Sequence, residues 1–250
     1  MKRNEKPIND SLNFDELLTL LQQLREQQHS LQQQLRSEQT NLQQLAKRLW
    51  LQQEHDRARF ARDLHDDLGQ QLTGIATQLA AADDNPLCRE LHQQVKHAIA
   101  STRTLARLMH PTLVHDLGLQ AGIQWLNRQL LQPAGITLEL DYGLSSRLDT
   151  DAELFLFRIV QEAMVNTVNY AQADRFELLL ERSQSALLLI ARDNGQGFDS
   201  QQVEAGVGLQ GMQDRASAFG AEFTLRSAPG KGCEIQIQLP LHQAITPEEP

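Results

Sequence analysis

Apolar residues recur at alternating intervals of three and four from Phe14 onward. The series runs Phe14, Leu17, Leu21, Leu24, Gln28, Leu31, Leu35, Glu38, Leu42, Leu45 and Leu49. This sustained heptad predicts a coiled coil, with Gln28 and Glu38 on seam positions where a polar group lowers stability and can fix register. Asn13 and Glu16 supply a capping-box pattern at its start. The competing reading is a single solvated helix, and an all-leucine seam left in water disfavours it. After Leu49 the strict repeat breaks. Phe60, Leu64, Leu68, Leu72, Ile75 and Leu79 form a broader stripe, as a helix facing a bundle requires. Asp83-Asp84-Asn85-Pro86 predicts a turn. A second amphipathic helix follows, with Leu91, Val95, Ile99, Thr102, Leu105 and Met109 on one face and Pro111 beyond its end. Such a hairpin holds little core of its own, whereas two copies make a four-helix bundle.

The pattern changes after Pro111. Leu113 to Leu130 reads as helix, with Gly118 and Gly122 near its start, and Leu138-Glu139-Leu140 as a short strand. Thr150 with Glu153 gives a second capping box for a helix to about Tyr170. Strand-like runs follow at Arg175–Glu181, Ala186–Arg192, Glu222–Arg226 and Glu234–Leu239. The last alternates cleanly, with Ile235, Ile237 and Leu239 on one face. Ser183-Gln184-Ser185 and Pro229-Gly230-Lys231-Gly232 supply turns. Helices with antiparallel hairpins predict an α+β sandwich, its helices on one face of a mixed sheet. Residues 1–13 and 241–250 are expected to be disordered.

Composition narrows the function classes. The 250 residues suffice for one large or two ordinary domains. A formal charge of −9 argues against a nucleic-acid binder, since neutralising phosphates needs clustered Lys and Arg. Cys88 and Cys233 show neither metal nor disulfide spacing, which fits a reducing compartment. No apolar run approaches the roughly 18–20 residues of a membrane span. The opening Met1-Lys2-Arg3-Asn4-Glu5-Lys6 does not read as a signal peptide. The expected location is cytoplasmic.

His65 is the first candidate for chemistry. On a helical wheel it lies at the edge of the apolar stripe, with Asp66 and Gln70 further toward solvent. A carboxylate that accepts the Nδ1 proton favours the tautomer with a free Nε2 lone pair. Such an imidazole can attack phosphorus to form a phosphoramidate. Gln70, one turn beyond Asp66, could orient a water for attack on a phosphoryl group. A lone exposed His is ordinary; the phosphate-binding features downstream make this one a candidate.

The helix from Asp151 to Tyr170 carries Arg158, Glu162, Asn166 and Asn169 on one face. Asn offers a neutral oxygen for Mg²⁺, an ion that keeps waters and takes further ligands from substrate phosphates. Glu162 could hold such a water or act as a base. Alone, Glu-x-x-x-Asn fits a solvated face equally well. Asp193 opens Asp-x-Gly-x-Gly, where a buried carboxylate can accept a hydrogen bond from an adenine amino group while Gly195 and Gly197 let the ring approach. Gly206-Val207-Gly208-Leu209-Gln210-Gly211-Met212 leads into a helix, a place where backbone N–H groups converge on phosphates. It is neither a Walker A loop nor a Rossmann fingerprint.

Together these elements resemble a sensor histidine kinase of the nitrate-sensor and hexose-phosphate-sensor type, over about residues 56–240. Arg59 to Leu72 looks like that subfamily's dimerisation and phosphoacceptor box. The resemblance implies His65 as the phosphorylated residue, Asp66 as its base and Gln70 as the phosphatase residue. Phe157 to Ala171 resembles the N box, with Glu162, Asn169 and the Mg²⁺-ligating Asn166. Asp193 to Gly197 resembles the G1 box. Gly206, Gly208, Leu209 and Gly211 resemble the G2 box and ATP lid, and Gly230 to Cys233 the closing Gly-x-Gly.

The implied fold is α plus α+β. An N-terminal coiled coil (14–56) precedes a helical-hairpin dimerisation domain (57–111) that forms a four-helix bundle in the dimer. A C-terminal α/β-sandwich ATP-binding domain (112–240) follows. The implied cofactors are ATP and Mg²⁺. The implied partners are a second copy of the chain and a response regulator with a LuxR-type helix-turn-helix output, with room for a membrane sensor. Two positions depart from the family: Asn169-Tyr170 stands where Lys or Arg precedes His or Tyr, and Cys233 replaces a Thr. The first removes a cationic phosphate contact. That favours, as the second reading, a degenerate kinase acting as regulator phosphatase or scaffold. A different ATPase or a serine kinase of the same superfamily is a third reading, and it leaves His-Asp-x-x-x-Gln unexplained.

Overall fold

From Phe14 to Asp63 the chain contains neither Gly nor Pro and is rich in Gln, Leu and Arg, all good helix formers. In the structure, a computed structural model, these residues form one continuous helix, α1 (Phe14–Asp63). The structure describes residues 14–82, 86–109, 112–199 and 206–244. The capping box at Asn13, the Asp83-Asp84-Asn85 turn and the two expected disordered ends, 1–13 and from 245 onward, lie outside those residues. The chain divides into two units, one ending at Gln44 and the other running from Leu45 to Pro250. In the first unit the heptad positions Leu21, Leu24, Leu31, Leu35 and Leu42 are all exposed, Leu42 by 67%.

The second unit begins with the rest of α1. At Leu64–Leu68 the backbone widens into a π-helical turn before α2 (Gly69–Ala81). The antiparallel partner is α3 (Pro86–Met109), whose Pro86 occupies the first position, where a missing N–H costs nothing. The helix expected over Leu113 to Leu130 is interrupted. It forms α4 (Thr112–Leu117) and α5 (Leu119–Leu126), separated by Gly118. Gly118 has φ +87, a region L-residues avoid, while its N–H still bonds the Val114 carbonyl at 2.9 Å. A π turn (Asn127–Leu131) then extends α5.

Five strands follow: β1 (Thr137–Tyr142), β2 (Arg175–Arg182), β3 (Ala186–Asp193), β4 (Glu222–Ser227) and β5 (Cys233–Pro240). They form one mixed sheet in the order β1-β2-β3-β5-β4, with β1 and β2 parallel and every other pair antiparallel. The alternation read from the sequence sets the faces. Phe176, Leu178 and Leu180 of β2, Leu187, Leu189 and Ala191 of β3, and Ile235, Ile237 and Leu239 of β5 are buried. They share a core with Leu119, Ile123 and Leu126 of α5 and with Phe155, Ile159 and Met164 of α6 (Thr150–Asn166). On the outer face Glu177, Arg192, Glu234 and Arg226 stand opposite one another across four strands, and neighbours in this ladder are ion-paired. Opposite charges at paired positions stabilise the register.

Two expectations need correction. The N-cap of α6 is Asp149, not Thr150: its side chain accepts from the Asp151 N–H at 3.0 Å. Glu153 turns instead to Arg147 and the Leu148 N–H. The tail expected to be disordered from 241 begins as a turn of helix, α8 (Leu241–Ala244). Ala244 is fully buried and its carbonyl accepts from the Asp149 N–H at 2.8 Å, so the core holds this turn. Among the described residues no helix is long and apolar enough to cross a membrane.

Candidate functional site

His65 occupies the second position of the π turn and its side chain is 58% exposed. Nδ1 lies 3.3 Å from Oδ1 of Asp66, the neighbour expected to hold its proton. Accepting Nδ1–H fixes the tautomer and leaves the Nε2 lone pair free. Gln70 is exposed in the first turn of α2. The π turn is the part the helical wheel did not foresee. Its wider backbone shifts the phase of every later position, and such turns occur often at functional sites.

A second site lies between α6, the ends of β3 and β5, and α7 (Val207–Ala218). It is a cavity of about 520 Å³, a size suited to a nucleotide-sized ligand. Of the residues expected at a nucleotide site, Glu162, Asn166, Asp193, Gly197, Gly206, Gly208 and Leu209 line it. Asn169, Gly195 and Gly211 do not. Asn169 is exposed on the π turn (Thr167–Ala171) that follows α6. Gly195 lies behind the cavity, where a Cβ would collide with the Ala171 carbonyl. Gly211 lies within α7. Gly197 is required for its conformation: its φ is +59 and any Cβ would run into the Ala228 carbonyl.

The polar anchor of the cavity is Asp193, 7% exposed at the end of β3. Burial pushes its carboxyl above the ordinary carboxylate range. Hydrogen bonds from the Gly195 N–H and the Cys233 N–H pull part of that back. An acceptor-only group set among apolar walls (Ala163, Phe176, Ala191, Ile235) suits an exocyclic amine of a purine. Thr167, Tyr170, Gln196, Phe198 and Cys233 also line the cavity, and the sequence pattern does not mark them as nucleotide contacts. Thr167 directly follows Asn166, but its small, partly apolar side chain gives no signal in the pattern. Burial, with the Asp193 charge second, pushes the Cys233 thiol up to about 12, so it stays a neutral thiol.

The donor set fits a nucleotide with Mg²⁺ in a limited sense. Among the described residues no three His, Cys, Asp or Glu side chains converge as a metal cluster. Asn166 presents its amide at the cavity, a neutral oxygen that would suit an ion whose other ligands are phosphates and water, the usual habit of Mg²⁺.

Arg158, expected on the same polar face as Glu162 and Asn166, serves elsewhere. It is 4% exposed and donates Nε and Nη2 to the Glu54 carboxylate of α1, at 3.0 and 2.6 Å. Nη1 and Nη2 also donate to the Leu108 and Met109 carbonyls at the end of α3, at 2.7 and 2.6 Å. One guanidinium thus ties both helices of the hairpin to α6. Next to it, Trp50 packs edge-on against Phe219, which stacks on Phe155, and Lys47 pairs with Asp151.

A mixed sheet backed by helices, with a buried Asp at its purine-sized cavity and a His-Asp pair on an attached helical hairpin, defines an ATPase domain joined to a histidine-bearing helix pair. The profile of the histidine kinase-, DNA gyrase B- and HSP90-like ATPases matches residues 151–243, and a histidine kinase profile matches residues 56–114. Sensor histidine kinase ComP of Bacillus subtilis (strain 168) is 30% identical over 215 residues, 79% of this chain and 28% of that protein. Sensor histidine kinase LiaS of the same organism is 33% identical over 204 residues, 78% of this chain and 55% of that protein. The signal transduction histidine-protein kinase/phosphatase UhpB of Salmonella typhimurium is 33% identical over 231 residues, 88% of this chain and 45% of that protein. The chain thus spans less than two thirds of each. Residues 56–114 and 151–243 thus match the two domain families of histidine kinases, and these relatives are sensor histidine kinases.

Proposed function

We propose that this chain is an ATP-dependent protein-histidine kinase that phosphorylates its own His65 and passes the phosphoryl group to an Asp of a response regulator. The observation that carries this reading is the His65–Asp66 pair, exposed on a helix tied to the domain that holds the Asp193 cavity. When bound, Mg²⁺-ATP supplies the γ-phosphoryl group. Asp193 receives the adenine amine, and Asn166 offers its oxygen to the ion. Asp66 keeps the His65 proton on Nδ1, so Nε2 meets phosphorus with its lone pair. Gln70, one turn past Asp66, orients water for the reverse use of the site, dephosphorylation of the regulator. The name of UhpB, kinase/phosphatase, supports that pairing.

In this reading 14–56 is a parallel coiled coil, 57–111 the phosphotransfer hairpin and 112–240 the ATP-binding domain of a cytoplasmic homodimer. The exposed heptad leucines favour a second copy as the cover of the coil. The regulator carries a LuxR-type output, and a membrane sensor is a candidate upstream partner. Incubation with γ-labelled ATP tests the activity. Acid-labile, alkali-stable label is expected on the wild type and none on His65→Gln. Absence of label on a wild type that binds ATP would instead favour the regulator phosphatase or scaffold, the reading that Asn169 supports.

A further inference from the structure

Beside His65 lies a groove that the nucleotide site does not share. It has a volume of about 370 Å³ and is lined by Ala61, Arg62, His65, Asp66, Arg103, Ala106, Arg107 and Thr112. Ala61 and Ala106 are buried, and their small side chains form its floor. Arg62 lies on α1 three residues before His65. Arg103 and Arg107 are one helical turn apart on α3 and so share a face. All three arginines are exposed.

The charge balance of this groove is one-sided. Arg59, Arg147, Arg175, Arg192 and Arg226 each have a carboxylate partner. Among the described residues Arg62, Arg103 and Arg107 have none. The single acidic side chain in the lining, Asp66, is engaged with His65. Three unpaired guanidinium groups therefore face one engaged carboxylate, in a protein whose net charge is −9. Guanidinium forks match the oxygens of a phosphoryl group and bind it through paired, charge-assisted hydrogen bonds.

We propose that Arg62, Arg103 and Arg107 form a phosphoryl-binding groove that holds the dianion carried on Nε2 of His65. The proposal rests on His65 as the phosphoacceptor and adds the group that receives the charge. It separates two tasks. The Asp193 cavity binds the donor, while the arginine groove stabilises the transferred group after the donor has left.

The test loads His65 without ATP. Phosphoramidate transfers its phosphoryl group to imidazole: its P–N bond breaks as Nε2–P forms, and ammonia leaves with the bonding pair. In the full chain, the ³¹P signal absent from His65→Gln identifies the site, and its shift is followed with pH. Opposite charges nearby favour the dianion. The wild-type phosphoryl group should therefore protonate about one pH unit lower than that of the Arg103→Gln/Arg107→Gln variant, with Arg62→Gln in between. Identical titrations in wild type and double variant would overturn the groove, as would a His65 that phosphoramidate leaves unmodified while other histidines react. If the titrations differ but ATP never labels His65, the groove stands and the kinase reading falls. If ATP labels His65 and the titrations coincide, the kinase stands without the groove.

Discussion

Glu54→Ala will loosen the ATP-binding domain from α1 and lower the melting temperature, although Glu54 lies outside both candidate sites. Glu54 and Arg158 are 5% and 4% exposed, and their closest contact is 2.6 Å. A buried pair of this kind is weak evidence of net stability, because both charges were taken out of water. Removing one partner is another matter. It leaves the Arg158 guanidinium buried with only carbonyl acceptors, at a cost of about 3–5 kcal/mol. Burial already lowers the Arg158 pKa, and the Glu54 charge is what opposes that. The least costly relief is separation of α6 from α1, which returns Arg158 to water. Trp50 reports this, since it is 7% exposed against Phe219. In a Trp125→Phe background its emission should shift to the red.

The same separation should raise the rate of His65 labelling by ATP. The nucleotide cavity and the groove at His65 have no lining residue in common; in the proposed kinase reading the ATP-binding domain moves to reach His65, and the Glu54–Arg158 contact opposes that movement. The double variant Glu54→Met/Arg158→Met removes both charges and keeps the bulk. It should recover most of the lost stability. Unchanged Trp50 emission and labelling rate in Glu54→Ala would remove the contact from any role in positioning the domain.

This contact also marks what a sequence can and cannot express. Arg158 follows the spacing of Glu162 and Asn166, and periodicity assigns all of them to one polar face. Its partner is 104 residues away in sequence. Neither residue carries a local pattern that points to the other. The strands, by contrast, were legible because each buries one face, so alternate residues had to be apolar; β5 with Ile235, Ile237 and Leu239 is the clearest case. Asp193 and Gly197 were legible for a different reason, since a carboxylate and a glycine with positive φ at a strand end have few substitutes. Asn169 shows the limit of spacing arguments. It continues the i, i+4, i+7 series from Glu162, but the helix widens into a π turn from Thr167, and Asn169 ends on the surface outside the cavity. The alanine floor beneath Arg62, Arg103 and Arg107 was invisible for a further reason. It forms only where two helices distant in sequence pack.

Asp193→Asn should weaken ATP binding by about 100-fold, the loss expected when a charged acceptor no longer meets its donor. The apo protein should melt no lower than the wild type. The two expectations have one source. Burial holds the Asp193 carboxyl above its ordinary range, so the folded chain keeps this proton to a higher pH than the unfolded chain. The group's contribution to stability is therefore fully present below its unfolded pKa and is lost as pH rises through the folded value. At neutral pH its ionisation is a standing cost to the fold.

Asparagine removes that cost and can be accommodated. The Thr167 hydroxyl has one proton and lies 2.9 Å from the Ala163 carbonyl. With Asn at 193, Nδ2 can donate to the Thr167 oxygen while the hydroxyl proton stays with Ala163. The amide oxygen, with two lone pairs, remains for the Cys233 N–H and for the Gly195 N–H, which now donates to Asp193 at 2.9 Å. What asparagine lacks is a free anionic acceptor for the adenine amine. Calorimetric titration with ATP and with ITP, which carries a carbonyl in place of that amine, separates the terms. Wild type should prefer ATP, and Asp193→Asn should lose most of the preference. Equal preference in both proteins would place the adenine elsewhere in the cavity. A variant that melts several degrees lower would show that Asp193 serves the fold first and the nucleotide second.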